Sequence, residues 1–379
     1  MLKILLIAPT FGIAKDNSVQ AMMSAYKTAL NLSKYAHVIV LAAGPKPRYE
    51  KIHARLEVYR LWNIYLKDPV NYMLAPGLFW HTLRLIRKEK PDVFLVNKFM
   101  FSNAFIIPLL KLLGKKVYTQ IDAFPSIDWV SRTPWIRPIM WLYLRIIGLP
   151  LLWMSDCVIL FHEGMAPIAR RFHINYRVIH NGVNFEELDA AVIAPEVVKN
   201  DPRKVHIGFV GRLESMKGYD VLLEVCRELL PSYPQTTLFM IGNTHGKEKI
   251  IAKYANPQIK FLGVRGDVPS LLKGIDIFVL PSFSEGLSNS LMEAMAAGCA
   301  VITMNTHGGN RILIQHGVNG FLAMLHSPLD LKEKIRYCLE HQEARTRLGS
   351  EARKAIQTRF DWNTIVQEYL TLFNEKLVK

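Results

Sequence analysis

Seven residues separate Glu285 from Glu293 in LPSFSEGLSNSLMEAMAAG, residues 280–298. The stretch reads as the end of a strand, a turn at Pro281-Ser282, and a helix that begins near Ser288. The helix stops at Gly298, a residue that accepts left-handed backbone at a helix end. One carboxylate then lies in the loop and the other about two helical turns further on. Between them the N–H groups of Gly286, Leu287 and Ser288 lack helical partners, which makes a small anion-binding end. A ligand with phosphates in its middle and hydroxyl-bearing sugars at both ends suits such a loop; a sugar nucleotide has that shape. Taken alone, the pair is better explained as a capping box, Ser290-x-x-Glu293, beside an ordinary loop carboxylate. The rest of the chain shifts that balance.

A second group is GRLESMKG, residues 211–218, which follows an apolar run at Val205–Val210. Arg212 can fork two phosphate oxygens and Lys217 adds a compact charge. Two cations at a strand end could neutralise a departing diphosphate without a metal, although a solvated loop pair is the plainer reading. Gly263-Val264-Arg265 ends another strand, and its backbone could bond the edge of a base; by itself it is a simple turn. No Asp-x-Asp occurs, and His162, His173 and His180 lack metal-ligand spacing, so no metal is expected.

These residues need a frame, and the apolar pattern supplies one. Strands are expected at Leu2–Pro9, His37–Ala42, near Leu56–Leu61, at Asp92–Val96, Lys116–Thr119, Cys157–Phe161 and Arg177–Ile179. Helices are expected from about Ser18 to Ser33, near Gly77–Lys90, at Ser102–Leu113 and from Glu163. A second series opens at Val205–Val210 and continues at Thr237–Ile241, Ile259–Leu262, Ile275–Leu280 and Ala300–Thr303. Alternation of this kind implies βα units, hence α/β architecture with two doubly wound, Rossmann-like domains. Ligands of such sheets bind beyond the carboxyl ends of strands. The segment 190–204, with Pro195, Asn200, Asp201 and Pro202, is the expected boundary: an N-terminal domain at 1–190 and a C-terminal one at 200–360. Residues 361–379 read as an amphipathic helix with Ile365, Tyr369, Leu372 and Phe373 at helical spacing.

Residues 134–154, PWIRPIMWLYLRIIGLPLLWM, stand apart. Arg137, Arg145, Pro138 and Pro150 are expected to interrupt them, giving either a partly buried helix or an interfacial one, but no uninterrupted span. The charge is uneven too. Residues 1–180 hold 24 Lys+Arg against 10 Asp+Glu, a net of +14, while residues 181–379 hold 23 against 22, a net of +1. A basic first half can meet nucleic acid, an anionic membrane or a phosphorylated substrate; no nucleic-acid motif accompanies it, so nucleic acid is not expected. Cys157, Cys226, Cys299 and Cys338 are scattered and read as buried thiols of a reduced, cytoplasmic compartment. The run MLKILLIAPTFG is too short for a signal peptide and reads as a buried strand.

In order, HNGVN (180–184), GRLESMKG (211–218), FLGVRGDVPSLL (261–272), PSFSEGLSNSLMEAMAAGCAVI (281–302) and HGVNGFL (316–322) resemble the retaining nucleotide-sugar glycosyltransferases of the GT-B fold. The match is ordered through 180–322 and weak through 1–179. The resemblance implies two Rossmann-like domains facing a cleft, with a final helix that packs back on the first. It implies that Arg212 and Lys217 hold the donor diphosphate with Gly286, Leu287 and Ser288, that Glu285 contacts the donor sugar, and that Glu293 contacts the ribose. Three positions depart from the family. The first loop, PTFGIAKDN, has only Gly12 where a Gly-Gly pair is usual. Thr119-Gln120-Ile121-Asp122 carries Ile121 where many members have a His, leaving Asp122 to orient acceptor or donor. Ile312 stands where a Glu often follows the Gly308-Gly309 pair.

The expected activity is retaining transfer of a sugar from a UDP- or GDP-linked donor, a substrate rather than a cofactor, to a hydroxyl acceptor. The basic first half and the apolar 134–154 stretch point to a lipid-linked or polysaccharide acceptor and peripheral attachment at the cytosolic face of an anionic membrane. Rival readings are a nucleotide-sugar epimerase or phosphorylase of the same architecture, and a donor-binding protein that has lost its chemistry.

Overall fold

The computed structural model describes residues 1–9, 11, 24–44, 46–66, 72–99, 102–127, 134–306 and 309–375. Gly12, Gly308 and the start of the helix expected from Ser18 lie outside them. The chain forms two compact units, Met1–Asn181 with Val366–Lys379, and Gly182–Ile365.

Among the described residues of the first unit ten strands occur in chain order: β1 Lys3–Ala8, β2 His37–Gly44, β3 Arg48–His53, β4 Leu56–Trp62, β5 Ile64–Leu66, β6 Tyr72–Leu74, β7 Val93–Asn97, β8 Val117–Ile121, β9 Cys157–Leu160 and β10 Tyr176–Val178. Eight of them make one sheet in the order β10-β9-β8-β7-β1-β2-β4-β3, and β5 and β6 pair separately. The central strands are continuous apolar runs because helices cover both faces; Ile4 to Ile7 and Val93 to Val96 are all buried. β3 is antiparallel to β4 and closes the edge. Its sequence RYEKIH is charged and largely exposed, which suits an edge and leaves little apolar pattern to read.

The second unit carries β11 Val205–Val210, β12 Thr236–Ile241, β13 Ile259–Gly263, β14 Ile277–Leu280, β15 Ala300–Met304 and β16 Phe321–Ala323. All are parallel, in the order β13-β12-β11-β14-β15-β16. Every residue of β11, β14 and β15 is buried. Each large aliphatic side chain so removed from water contributes roughly 1.5–3 kcal/mol. Burial pushes the thiols of Cys226 and Cys338 in this unit, and Cys157 in the first, up to about 12.

The unit boundary falls at Asn181/Gly182, before the 190–204 segment where composition places it. Residues 184–199 are anchored to the second unit: Ala194 N–H donates to Ser270 C=O at 3.1 Å, and Lys199 pairs with Asp276 at 2.5 Å. At the other end the helix Trp362–Asn374 starts in the second unit and its residues from Val366 belong to the first. There Tyr369 and Phe373 are buried, Gln120 Nε2 donates to Tyr369 Oη at 2.7 Å, and Tyr118 Oη donates to Leu372 C=O at 3.2 Å.

The stretch 134–154 departs from expectation. Its prolines do not interrupt it: α-helix at Ile136–Tyr143 passes through a π-turn at Leu144–Gly148 into α-helix at Leu149–Met154. Pro138 is the third helical residue, where an N–H has no intrahelical partner to lose. Pro150 is accommodated by the wider turn, in which Leu149 N–H reaches back to Leu144 C=O.

Candidate functional site

The second sheet reverses its strand order at one place. From β11 the chain moves outward through β12 and β13, then returns to β14 on the other side and continues to β15 and β16. The crevice beyond the carboxyl ends of β11 and β14 is the switch point where sheets of this kind take ligands. Both charged loops emerge there.

After Val210 the chain runs through Gly211-Arg212 into a single 3-10 turn at Ser215–Lys217. Gly218 closes it with φ +67°, and a Cβ there would lie 2.0 Å from the carbonyl oxygen of Pro281. Only glycine lets the two loops pass at this point. Phe283 N–H then donates to Met216 C=O at 2.9 Å, stitching the loops together. The result is Lys217 Nζ at 2.5 Å from Glu285 Oε1, with Ser282 Oγ donating to the same oxygen at 2.8 Å. Glu285 is 10% exposed and Lys217 21%, so the pair is largely shielded from solvent. Glu285 Oε2 has no partner among the described residues, and Lys217 makes one hydrogen bond with its three N–H donors. The pair therefore offers a carboxylate oxygen and ammonium donors side by side. Arg212 differs: it is 70% exposed and reaches Glu214 at 2.8 Å.

Ser288 is the N-cap of the helix Asn289–Ala296, its Oγ accepting from Leu291 N–H. That register places Ser290 inside the helix, so the Ser290-x-x-Glu293 capping box does not form; Glu293 sits mid-helix and partly buried. Ser288 N–H is not open as expected, because it donates to Asn310 Oδ1 at 3.1 Å. Gly286 and Leu287 N–H groups have no partner among the described residues. Their loop is held close to the next one, since a Cβ on Gly309 would lie 2.7 Å from Gly286 C=O. Gly298 ends the helix region in left-handed backbone, φ +83°.

At the end of β13, Gly263 takes φ +70° and its C=O accepts from Gly242 N–H at 2.9 Å. The Arg265 guanidinium forks Asp267 at 2.8 and 2.7 Å and reaches Glu196 at 2.5 Å. Hydrogen bonds to Asp267 and then Glu196 hold its pKa above even the usual arginine range. The Arg265 side chain is thus committed to a structural clasp. The peptide groups of Val264 remain for a planar ligand edge, and that side chain is exposed. From β13 to β14 is three strand spacings, roughly 14 Å. HGVNG, by contrast, is a structural turn, with Asn319 Oδ1 accepting from Gln315 N–H at 2.7 Å and Nδ2 donating to Leu313 C=O at 3.0 Å.

The first sheet reverses its order at β1, between β7 and β2. The loop after β1, including Gly12, is outside the described residues. At the end of β7, Lys98 adopts φ +63°, an uncommon conformation for a side-chain-bearing residue. Asn103 Nδ2 holds that backbone through the carbonyls of Asn97 and Lys98, at 2.8 and 3.2 Å. The turn brings Lys98 Nζ to 3.1 Å from Asp122 Oδ2 at the end of β8, and Asp122 is exposed. Ile121, in the position where the resemblance leads one to expect a His, is fully buried.

Ser282, Asn310 and Lys98 were not singled out from sequence. Ser282 stands three residues before Glu285 and Asn310 directly follows the Gly-Gly pair, so each had a positional signal. The left-handed turn at Lys98 had none. Among the described residues no group of three His, Cys, Asp or Glu converges as a metal site.

Residues 193–355 match the family profile described as glycosyl transferases group 1. An uncharacterised glycosyltransferase of Methanocaldococcus jannaschii is 24% identical over 396 residues, covering 99% of this chain and 98% of that one. A Campylobacter jejuni enzyme, N,N'-diacetylbacillosaminyl-diphospho-undecaprenol alpha-1,3-N-acetylgalactosaminyltransferase, is 38% identical over 117 residues, 31% of this chain and 30% of its own. Among solved structures, sucrose-phosphate synthase from Thermosynechococcus elongatus superposes with TM-score 0.77 at 18% identity over 98% of both chains. Anabaena HepE in complex with UDP-glucose superposes with TM-score 0.71 at 19% identity, over 98% of this chain and 99% of that one.

Proposed function

The chain is a group 1 glycosyltransferase of the GT-B fold, and from that premise we propose that it transfers a sugar, with retention, from a nucleoside diphosphate to a hydroxyl of a lipid-linked or cell-envelope glycan. The observation that carries this reading is the Lys217–Glu285 pair at the switch point of the second sheet. Lys217 and Arg212 face the diphosphate with the N–H groups of Gly286 and Leu287, as fixed donors aimed at the charge that develops on leaving. Glu285 holds the sugar through Oε2. Glu293 takes the ribose and the main chain of Val264 the base. In the transfer step the bond between the anomeric carbon and the β-phosphate oxygen breaks, and the acceptor oxygen bonds that carbon on the same face. The acceptor proton passes to the departing phosphate oxygen. Asp122, held by Lys98, orients the acceptor at the end of the first sheet.

UDP as the donor nucleotide is supported by the structures of HepE in complex with UDP and with UDP-glucose; GDP is the alternative. A lipid diphosphate acceptor is supported by the name of the Campylobacter relative, and it places the enzyme at the cytosolic face of a membrane. Because two cations of the chain itself face the diphosphate, transfer proceeds without a divalent metal.

The test is transfer of radiolabel from UDP- and GDP-sugars to a lipid extract, with the anomeric configuration of the product read by NMR. A retained configuration and activity that survives chelator are expected. Inversion, or loss restored by magnesium or manganese, would contradict the mechanism. Donor binding without any product would favour the binding-protein reading, and interconversion of the free donor an epimerase.

A further inference from the structure

The helical run Ile136–Met154 is apolar on two faces. Ile136, Met140, Leu144, Gly148, Leu151 and Leu152 point inward and are buried. Gly148 lies so close to Phe99 that a Cβ would sit 2.8 Å from its ring, and Tyr143 Oη donates to Phe99 C=O at 3.0 Å. The other face is uncovered. Trp135, Ile139, Leu142, Ile146 and Trp153 fall at i, i+4, i+7, i+11 and i+18, the period of one helix stripe, and each is about half exposed or more. The neighbouring helix Ile106–Leu112, which packs against Leu149–Met154, adds Leu112 at 85% exposure and Leu113 beside it. A soluble surface rarely leaves such side chains contiguous without a use.

Within the stretch the charge has one sign. The sequence from 129 to 155 contains no acidic residue. Arg145 lies over the rings of Trp141 and Phe172, at 5.1 and 5.4 Å, and Arg171 over Phe172 at 6.0 Å. Trp153 Nε1 donates to Phe172 C=O at 2.8 Å, so aromatic rings and arginines form one cluster at the edge of the stripe. No carboxylate lies within ion-pair distance of Arg145, Arg170 or Arg171 among the described residues.

We propose that this face of the first unit docks onto an anionic phospholipid bilayer, with the Trp135–Trp153 stripe entering the interface and Arg145, Arg170 and Arg171 meeting lipid phosphates. The three arginines carry no ion-pair carboxylate among the described residues, which selects a phosphate-bearing surface over a neutral or cationic partner. Tryptophans at the stripe's ends suit the headgroup level. The helix has the length and apolar character to cross a bilayer, but its inner face is packed on Phe99 and on the sheet. It therefore lies along the membrane rather than through it. This deepens the proposed function, resting on the lipid-linked acceptor for its purpose but not for its measurement.

The full chain would be floated with vesicles of phosphatidylcholine, alone or mixed with phosphatidylglycerol, in the absence of donor and acceptor. Binding is expected with the anionic vesicles only, weakening with salt. Arg145→Gln/Arg171→Gln should lower partition about thirtyfold, and Ile139→Ser/Ile146→Ser at least tenfold. A blue shift of tryptophan emission should accompany binding. Unchanged melting temperature and UDP affinity in both variants verify that they fold, and report the donor site separately. Failure to bind, equal recovery with both vesicle types, or binding untouched by the four substitutions overturns the proposal. Self-association abolished by Ile139→Ser/Ile146→Ser, without vesicle binding, would assign the face to a second protein and overturn it equally.

Discussion

Lys217 is assigned two tasks: it balances a shielded carboxylate, and its remaining N–H donors are proposed to meet phosphate. Arg212, exposed and bound only to a neighbouring loop carboxylate, is assigned one. Both Arg212→Ala and Lys217→Ala should weaken UDP binding by roughly 1.5–3 kcal/mol, the range for hydrogen bonds to charged groups. Lys217→Ala should also lower the melting temperature, because it strips Glu285 of its cation, whereas Arg212→Ala should not. Calorimetry finding unchanged affinity in both variants would remove the diphosphate assignment. The glutamates separate differently. Glu285→Gln should reduce turnover and leave UDP affinity nearly intact if, as proposed, its Oε2 holds the sugar. Glu293→Gln should weaken UDP itself. With Ser288 as the cap, a purely structural effect of Glu293→Gln would need a cause other than capping; a lowered melting temperature with unchanged UDP affinity would count against the ribose assignment.

At the scale of elements, the parallel strands were legible because burial on both faces writes continuous apolar runs into the sequence. The edge strand β3 was not, since RYEKIH faces solvent and carries charge. The helix through Pro138 and Pro150 was misread as broken; the rule that proline interrupts a helix gives way in its first turn and at a π-turn, neither of which local sequence announces. In the candidate site, the loop positions of Lys217 and Glu285 and the helix start near Ser288 were legible from motif and spacing, whereas the cap falls on Ser288 and not on Ser290. Lys98 was not legible, because its left-handed backbone is imposed by Asn103 and not by its own side chain. One strand carries a pH dependence. His206 in β11 is buried against Phe239, and its Nδ1 lies 3.1 Å from Gly274 C=O. Burial holds its pKa below the usual value, with the Gly274 bond opposing. The folded state therefore resists a proton that the unfolded chain accepts near pH 6.5. Stability should be full above that pH and fall as the pH drops through it toward the lower, folded value. Urea unfolding at about pH 7.5 and 5.5 measures the slope. His206→Asn, whose amide can keep the Gly274 bond, should reduce it, leaving the share of His162, whose pKa burial also lowers.

The molecule is built from one continuous unit and one that the chain leaves and rejoins. Residues 182–365 contain the residues proposed for the donor site, from Arg212 to Glu293, and their own core. Residues 1–181 do not complete theirs: among the described residues, Tyr118 Oη and Gln120 Nε2 find their partners in the last helix, which returns with Tyr369, Leu372 and Phe373. Those three side chains are nearly fully buried, and each is worth roughly 1.5–3 kcal/mol of burial. Their sum is comparable to the net stability of a typical domain, about 5–15 kcal/mol. An isolated 1–181 fragment should accordingly fail to fold cooperatively. The same fragment joined through a flexible linker to residues 366–379 should regain a sigmoidal urea transition, and Tyr369→Ala in that fusion should cost it again. The 182–365 fragment should fold alone and bind UDP with nearly the affinity of the whole chain. A cooperative transition in 1–181 by itself would show that the returning helix contributes little. Loss of UDP binding in a folded 182–365 would mean that the donor site draws on residues outside the second unit.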